Sequence, residues 1–111
     1  ERAIKDASKI FHKYPNVTLY LGRVEKILPL VGSIDTILLD PPRSGAGELV
    51  VSQMIEKKPK MIVYISCDPA SLARDSKLLI DGGYKLEDII GIDLFPMTHH
   101  IECVAKFNLI K

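Results

Sequence analysis

The chain has 111 residues, which suffices for one small domain and not for two. With 47% hydrophobic and 26% charged residues, its composition is that of a folded globular protein and excludes a disordered chain. A formal net charge of +1 gives no global field that would attract nucleic acid, and no apolar run reaches the roughly 18 residues of a membrane helix. Two cysteines are too few for a disulfide scaffold, so we expect reduced thiols and a cytoplasmic protein. Because no apolar run is long enough to cross a membrane, we expect no membrane partner.

The hydrophobic pattern switches between helical and strand periods along the chain. Apolar residues at helical spacing predict a helix over 2–13, and a short run of β-branched and aromatic residues predicts a strand over 17–21. A weak helix over 24–31, interrupted or ended near Pro29, and a strand over 34–39 follow. The remaining predictions are a helix over 48–57 with Leu49, Val50, Met54 and Ile55 inward, a strand over 61–66, a helix over 70–80, and strands over 84–95 and 101–110.

The order of these elements predicts the fold class. Strands that alternate with helices favour a parallel sheet with helices on both faces, because parallel strands need a crossover connection. The last two strands follow each other across a short loop, so we expect them to pair antiparallel and close one edge. The sequence therefore predicts an α/β fold with a mostly parallel sheet and a C-terminal antiparallel hairpin.

The unusual residues lie in loops that follow predicted strands, where open α/β sheets bind their ligands. Asp40 ends a strand and precedes two prolines, so it either caps the next turn or presents a rigidly held carboxylate to a ligand. Arg43 in the same loop is either a solvated charge or a partner for phosphate or carboxylate.

A second loop carries Cys67. A cysteine at a strand end is most often a small buried hydrophobe, but this one precedes a helix N-terminus, where the helix dipole favours a reactive thiolate. Cys103 lies within an apolar strand pattern and is predicted to be inert packing. Glu102 is either solvated or a general base near the Cys67 loop. No metal site is predicted, because His99 and His100 are adjacent on a strand and point to opposite faces.

Three segments of the chain carry recognisable motifs in order. They are Asp40-Pro41-Pro42-Arg43 with Gly45, Ser66-Cys67-Asp68-Pro69 with Leu72-Ala73-Arg74-Asp75, and Phe95-Pro96-Met97-Thr98-His99-His100-Ile101-Glu102. Together they resemble the motifs of the RNA (uracil-5-)-methyltransferases, which use S-adenosylmethionine to make 5-methyluridine in transfer or ribosomal RNA. The resemblance runs from about Val17 to Phe107. One such motif is modestly specific, but three in order are a strong signal.

The resemblance implies a fold, a cofactor and residue roles. The fold would be the Rossmann-like sheet of class I methyltransferases, the cofactor S-adenosylmethionine and the partner tRNA or rRNA. Cys67 matches the family's nucleophile, and Glu102 matches its proton-abstracting base. Asp40 matches a carboxylate in the uracil pocket, and Arg43 is expected to contact the substrate. Asp40 and Pro41 are expected to contact the cofactor.

The chain departs from the family pattern at three places. Asp68 stands where the family commonly has Asn, and Met97 stands where it commonly has His; neither is the nucleophile or base position. Gly22 and Arg23 occupy a region where many relatives carry a small acidic or amide residue near the adenine.

Arg43 in place of an aromatic residue argues against the amino-methyltransferases that act on adenine or cytosine.

Methyltransferases of this fold hold their cofactor with a glycine-rich turn after the first strand and an acidic residue ending the second, and neither is present. We therefore expect residues 1–111 to be a single fragment, the C-terminal portion of a catalytic domain that lacks its first two strands. Such a fragment is expected to be inactive alone, and either to pair its 17–21 and 34–39 strands or to associate with a second copy through an exposed edge. Two alternatives stay open: a class I methyltransferase acting on another substrate, such as cytosine or a protein amide, and a non-catalytic α/β module.

Overall fold

The computed structural model describes residues 14–95 and 100–110, so the helix predicted over 2–13 lies outside the described residues. The elements are α1 (Val24–Ile27), a 3₁₀ turn (Leu28–Leu30), β1 (Thr36–Leu39), α2 (Glu48–Lys57), β2 (Met61–Ser66), α3 (Pro69–Asp81), β3 (Tyr84–Phe95) and β4 (His100–Leu109). The boundaries predicted for α2, β2 and β3 are the observed ones, and β1 begins two residues later than predicted. In this part of the chain no helix has the length and apolar character to cross a membrane.

The four strands form one sheet in the order β1-β2-β4-β3. β1 pairs parallel with β2, whereas β4 pairs antiparallel with both β2 and β3. Three of the four strands therefore run in one direction, and β4 runs against them. The predicted α/β class with a C-terminal antiparallel hairpin is confirmed, with the last strand inserted inside the sheet and β3 at its edge.

The two longer helices cover one face of the sheet. Both crossovers, from β1 to β2 and from β2 to β3, lead the same way across the sheet, and right-handed connections of that kind place α2 and α3 on the same face. The two helices also pack against each other. The core between helices and sheet consists of Val51, Met54, Ile62, Tyr64, Leu72, Leu79, Tyr84, Ala105 and Phe107.

On the opposite face of the sheet, two apolar side chains are exposed. Leu38 and Ile90 point away from the core, because their register partners Val63 and Val104 alternate with core residues. Leu38 is 68% exposed and Ile90 is 52% exposed. Among the described residues, the prediction of helices on both faces therefore holds for one face only.

The strand predicted over 17–21 is wrong. These residues have no regular structure, and Tyr20 and Leu21 are more than half exposed. A strand needs a neighbouring backbone to satisfy its N–H and C=O groups, and within residues 14–95 and 100–110 the sheet offers none at this point. Pairing of 17–21 with the strand after it, one of the two expected outcomes, is contradicted for the same reason. Association with a second copy stays a prediction.

The core-facing side of α2 also differs in part from its prediction. Val51 and Met54 are buried, while Leu49 is 59% exposed. Five residues separate Leu49 from Met54, which at about 100° per residue turns Leu49 roughly 140° away from the core. Val50 and Ile55 flank the buried stripe and are half-buried.

Candidate active site

The loop that joins β1 to α2, residues 40–47, starts beside the C-terminal half of β2. Leu39, the last residue of β1, is in register with Tyr64 of β2, so the loop leaves the sheet near the point where β2 ends. Parallel strands bring their carboxyl ends to the same edge of a sheet, and the sequence predicts this neighbourhood for that reason. Asp40 and Arg43 are exposed, and Pro41 is half-buried.

Cys67 and Glu102 lie at this end of the sheet, each one position beyond the last register pair of β2 and β4. Ser66, the last residue of β2, is in register with Cys103 of β4, and the next position on each side is Cys67 and Glu102. Cys67, the first residue past the strand, is exposed, and Glu102 is half-buried. The fold thus brings the predicted nucleophile and the predicted base to one sheet end.

The turn that carries Cys67 is held by its neighbours. The Ser66 hydroxyl accepts a hydrogen bond from the Asp68 N–H at 3.0 Å and donates to the Asp68 carbonyl at 2.9 Å. Asp68 is the N-cap residue of α3, and its carboxylate accepts a hydrogen bond from the Ser71 hydroxyl at 2.7 Å. This bond holds the pKa of Asp68 below its ordinary value. An ionised carboxylate therefore follows the exposed thiol in the chain.

A groove of about 820 Å³ lies along the β1 side of the site. Its lining includes residues 22–25 and 36–42, so the predicted cofactor residues Asp40 and Pro41 both contribute to it. Arg43, Cys67 and Glu102 do not line this groove. The groove is thus a separate part of the site from Cys67 and Glu102, and Asp40 belongs to its lining.

A buried carboxylate on α3 anchors the 40–47 loop. Asp75 is fully buried, and its Oδ2 accepts hydrogen bonds from the Ala46 N–H at 2.8 Å and from the Tyr64 hydroxyl at 2.5 Å. Its Oδ1 accepts from the Arg74 guanidinium at 3.3 Å, which supplies the opposite charge. Burial of Tyr64, aided by its bond to Asp75, raises the pKa of the Tyr64 phenol.

Two further side chains of α3 contact backbone carbonyls of the same loop. The Ser71 hydroxyl lies 2.6 Å from the carbonyl oxygen of Arg43, and Arg74 Nη2 donates to the carbonyl oxygen of Ser44 at 2.6 Å. The sequence motif contains Arg74 and Asp75, but sequence reasoning gave them no role and missed Tyr64 altogether. The available signal was Asp75, a carboxylate at a position of α3 that falls on its inward side.

Gly45 lies against this anchor, and its replacement by alanine should be costly. Its φ is +88°, and a Cβ there would lie 2.6 Å from Arg74 Nη2 and 2.7 Å from Asp75 Oδ2. Gly47 is the matched control, because its φ is also +88° but a Cβ there meets nothing within 4 Å. Both variants store backbone strain of about 1–3 kcal/mol. We expect Gly45→Ala to lose at least about 1 kcal/mol more in urea unfolding, since it also overpacks a buried group. Equal losses would contradict the close contact.

The Tyr64–Asp75 bond should make stability depend on pH in the alkaline range. The pKa of Tyr64 is raised above its usual 10.0, so the neutral phenol contributes stability that is complete below pH 10.0 and is lost as the pH rises toward the folded-state value. The stability advantage of the parent protein over Tyr64→Phe should therefore be constant up to about pH 9 and shrink between about pH 10 and about pH 12. Urea unfolding of both proteins across that range measures the difference, and a pH-independent difference would contradict the assignment.

The described residues contain no group of three or more His, Cys, Asp and Glu side chains arranged to hold a metal ion. His99 lies outside the described residues, so the interpretation of the two adjacent histidines is untested. Cys67 and Cys103 are both free thiols. Cys103 is half-buried and packs against the core, as its sequence pattern predicts.

Known proteins are similar to this chain in sequence. A sequence model of the tRNA (uracil-5-)-methyltransferases matches residues 18–108. An uncharacterized RNA methyltransferase of Streptomyces avermitilis is 47% identical over 107 residues, which are 95% of this chain and 25% of that protein. The 23S rRNA (uracil(1939)-C(5))-methyltransferase RlmD of Shewanella sp. (strain ANA-3) is 51% identical over 100 residues, which are 86% of this chain and 22% of that protein.

Solved structures of methyltransferases are similar to this chain as well. The tRNA (uracil-54, C5)-methyltransferase of Pyrococcus abyssi, in complex with S-adenosyl-L-homocysteine, superposes with a TM-score of 0.78 at 35% identity over 96% of this chain and 26% of that one. A precorrin-6y C5,15-methyltransferase of Geobacter metallireducens, at 18% identity and a TM-score of 0.69, shares the Rossmann-like methyltransferase fold alone. The chain thus spans about a quarter of the length of its similar relatives. Because the family model covers most of its residues, the chain belongs to the tRNA (uracil-5-)-methyltransferase family.

Proposed function

We propose that the chain is part of an enzyme that transfers a methyl group from S-adenosylmethionine to carbon 5 of a uridine in tRNA or rRNA. The observation that carries the proposal is the register of β2 and β4, which supports Cys67 and Glu102 as facing neighbours beside the Asp40 loop. Membership of the family, and relatives named for uracil-C5 methylation of ribosomal and transfer RNA, support the same reaction.

Cys67 is the proposed nucleophile. Carbon 5 of uracil is a poor nucleophile toward a methyl group, so the reaction needs prior activation of the ring. The Cys67 thiolate adds to carbon 6, a C–S bond forms, and the electrons of the C5–C6 double bond move to the C4 carbonyl as an enolate. Carbon 5 is then nucleophilic enough to accept a methyl group. The exposure of Cys67 supports this role, because the thiol must reach a base that has left its stack.

Glu102 is the proposed base. After methylation, carbon 5 carries both the new methyl group and its original hydrogen, and the adduct cannot resolve until that proton leaves. The Glu102 carboxylate takes the proton, the C5–C6 double bond re-forms, and the C6–S bond breaks to release Cys67. A general base within reach of its proton contributes typically about 10²–10⁴-fold. Half-burial of Glu102 at the position opposite Cys67 supports this assignment.

The 40–47 loop is proposed to bind both substrates. Asp40 and Pro41 line the groove of about 820 Å³, whose apolar strand residues and carboxylates suit an adenosine moiety and its hydroxyls. S-adenosylmethionine held there supplies the methyl group. Asp40 is proposed to orient the uracil edge, and the exposed Arg43 to pair with an RNA phosphate.

We propose that the chain acts as the C-terminal portion of a larger cytoplasmic enzyme and that it does not methylate RNA by itself. The relatives are about four times longer than this chain. Within the described residues β1 lies at an edge of the sheet, and this edge and the exposed Leu38 support self-association of the isolated fragment. Full cofactor affinity and methyl transfer by residues 1–111 alone would contradict this proposal.

The test of the proposed function uses the full-length protein and tRNA or rRNA transcripts labelled with tritium at carbon 5 of uridine. Methyl transfer to carbon 5 must release one tritium per methyl group incorporated. The proposal predicts equal molar release and incorporation, dependent on S-adenosylmethionine. Methyl incorporation without tritium release would assign the enzyme to another position or substrate and overturn the proposal.

A further inference from the structure

We propose that Asp75, together with Tyr64, is a positioning residue that fixes the 40–47 loop relative to Cys67. The inference rests on the proposed function and adds to it two residues that are not themselves part of the groove lining. The loop brings Asp40 and Arg43 to the site. The position of the loop backbone relative to Cys67 therefore matters for the reaction. Hydrogen bonds from β2 and α3 fix that position.

The anchor joins the loop to the two elements that flank Cys67. Tyr64 belongs to β2, which ends one residue before Cys67, and Asp75 belongs to α3, which begins two residues after it. Asp75 Oδ2 binds the Ala46 N–H at 2.8 Å and the Tyr64 hydroxyl at 2.5 Å, and the Tyr64 hydroxyl also accepts from the Ala46 N–H at 3.3 Å. The Ala46 N–H is thus bonded both to the strand that precedes Cys67 in the chain and to the helix that follows it.

The middle of the loop is held at the same time. The carbonyl groups of Arg43 and Ser44 contact Ser71 and Arg74, and Arg74 is itself paired with Asp75. Across residues 43–46, one carbonyl and one N–H are therefore hydrogen-bonded to α3 and a second carbonyl is in contact with it. The Asp40 carboxylate and the Arg43 side chain remain exposed. Such a loop has a fixed backbone and free functional groups, which is the arrangement that precise substrate positioning needs.

A purely structural role explains the anchor poorly. Burying an ionised carboxylate carries a desolvation penalty of several kcal/mol, and well-packed apolar residues often stabilise a core as well or better. Asp75 is fully buried, and the half-exposed Arg74 is its ion-pair partner. What an apolar residue cannot supply is a directed bond to the Ala46 N–H. We infer that the carboxylate is there to set the loop geometry.

The experiment measures kcat and KM for RNA in the full-length enzyme carrying Asp75→Asn. An asparagine has one acceptor oxygen, so it cannot serve both the loop N–H and the Arg74 guanidinium. We expect kcat to fall about 10²-fold with KM for RNA changed less than about threefold, because a small displacement of positioning groups has effects of that size. Asp81→Asn, the same exchange at an exposed position of α3, is the control and should keep the parent kcat.

Tyr64→Phe is the milder variant and keeps the test decisive if Asp75→Asn fails to fold. It removes one hydroxyl and should lower kcat about 10-fold in protein that is folded by circular dichroism. The double variant should be no slower than Asp75→Asn alone, because both residues act through one contact. Variants with lowered thermal stability but parental kcat in the folded state would show a structural role only and overturn the inference. A parent enzyme without tritium release would instead refute the proposed function.

Discussion

Replacement of Cys67 by alanine should abolish methyl transfer by the full-length enzyme. Without the thiolate, carbon 6 of the uracil has no nucleophile, and carbon 5 is never activated. Removal of a covalent nucleophile costs on the order of 10⁴-fold or more in kcat. The variant should fold normally, since Cys67 is exposed and contributes little to the core. Methyl incorporation into RNA under single-turnover conditions is the measurement.

Cys103→Ala is the matched control for this prediction. Cys103 is the other cysteine of the chain. It follows Glu102 in β4 and is in register with Ser66, but it is half-buried against the core. Its replacement should cost on the order of 1 kcal/mol of stability and leave methyl transfer within about threefold of the parent rate. A Cys67→Ala enzyme that still methylates would point to a non-catalytic role for the turn, and the proposed mechanism would fall.

Glu102→Gln should stop the reaction after the methyl group has been transferred. The amide cannot remove the proton from carbon 5, so the Cys67–uracil bond cannot break. We expect turnover to fall by about 10²–10⁴-fold and a covalent protein–RNA complex to accumulate with ordinary, unmodified uridine. A denaturing gel with labelled RNA detects the complex directly.

The control for that variant is Glu87→Gln, the same exchange at an exposed position of β3 near Lys85. It should turn over at the parent rate and accumulate no complex. If Glu102→Gln turned over normally, a different residue would be the base. If it accumulated no complex but lost activity, Glu102 would act before methyl transfer rather than after it.

The fold was predictable wherever local pattern and tertiary context agree. β2 is an uninterrupted apolar run, and α3 begins at Pro69 and ends at two glycines, so both were located from sequence. The segment 17–21 has an equally good strand pattern but no neighbouring strand in the described sheet. Strand propensity is weaker than the need of the backbone for hydrogen-bond partners.

The candidate site was predictable for residues whose chemistry is evident in the sequence. Cys67 before a helix and Asp40 before two prolines are visible as local patterns, and Glu102 is a candidate base from the sequence as well. The anchor formed by Tyr64 and Asp75 was not predictable, because its function lies in contacts across 11 and 29 residues of sequence. A tyrosine in a buried strand has the same pattern whether or not its hydroxyl holds a loop.

The most direct test of the account is to map the covalent bond. The full-length enzyme is incubated with S-adenosylmethionine and RNA that carries 5-fluorouridine at the target position. Fluorine cannot leave carbon 5 as a cation, so the proposed reaction stalls after methyl transfer with the nucleophile bonded to carbon 6. The account predicts a methylated uracil adduct that peptide mass mapping places on Cys67. An adduct on another residue, or none across a panel of tRNA and rRNA substrates, would contradict it.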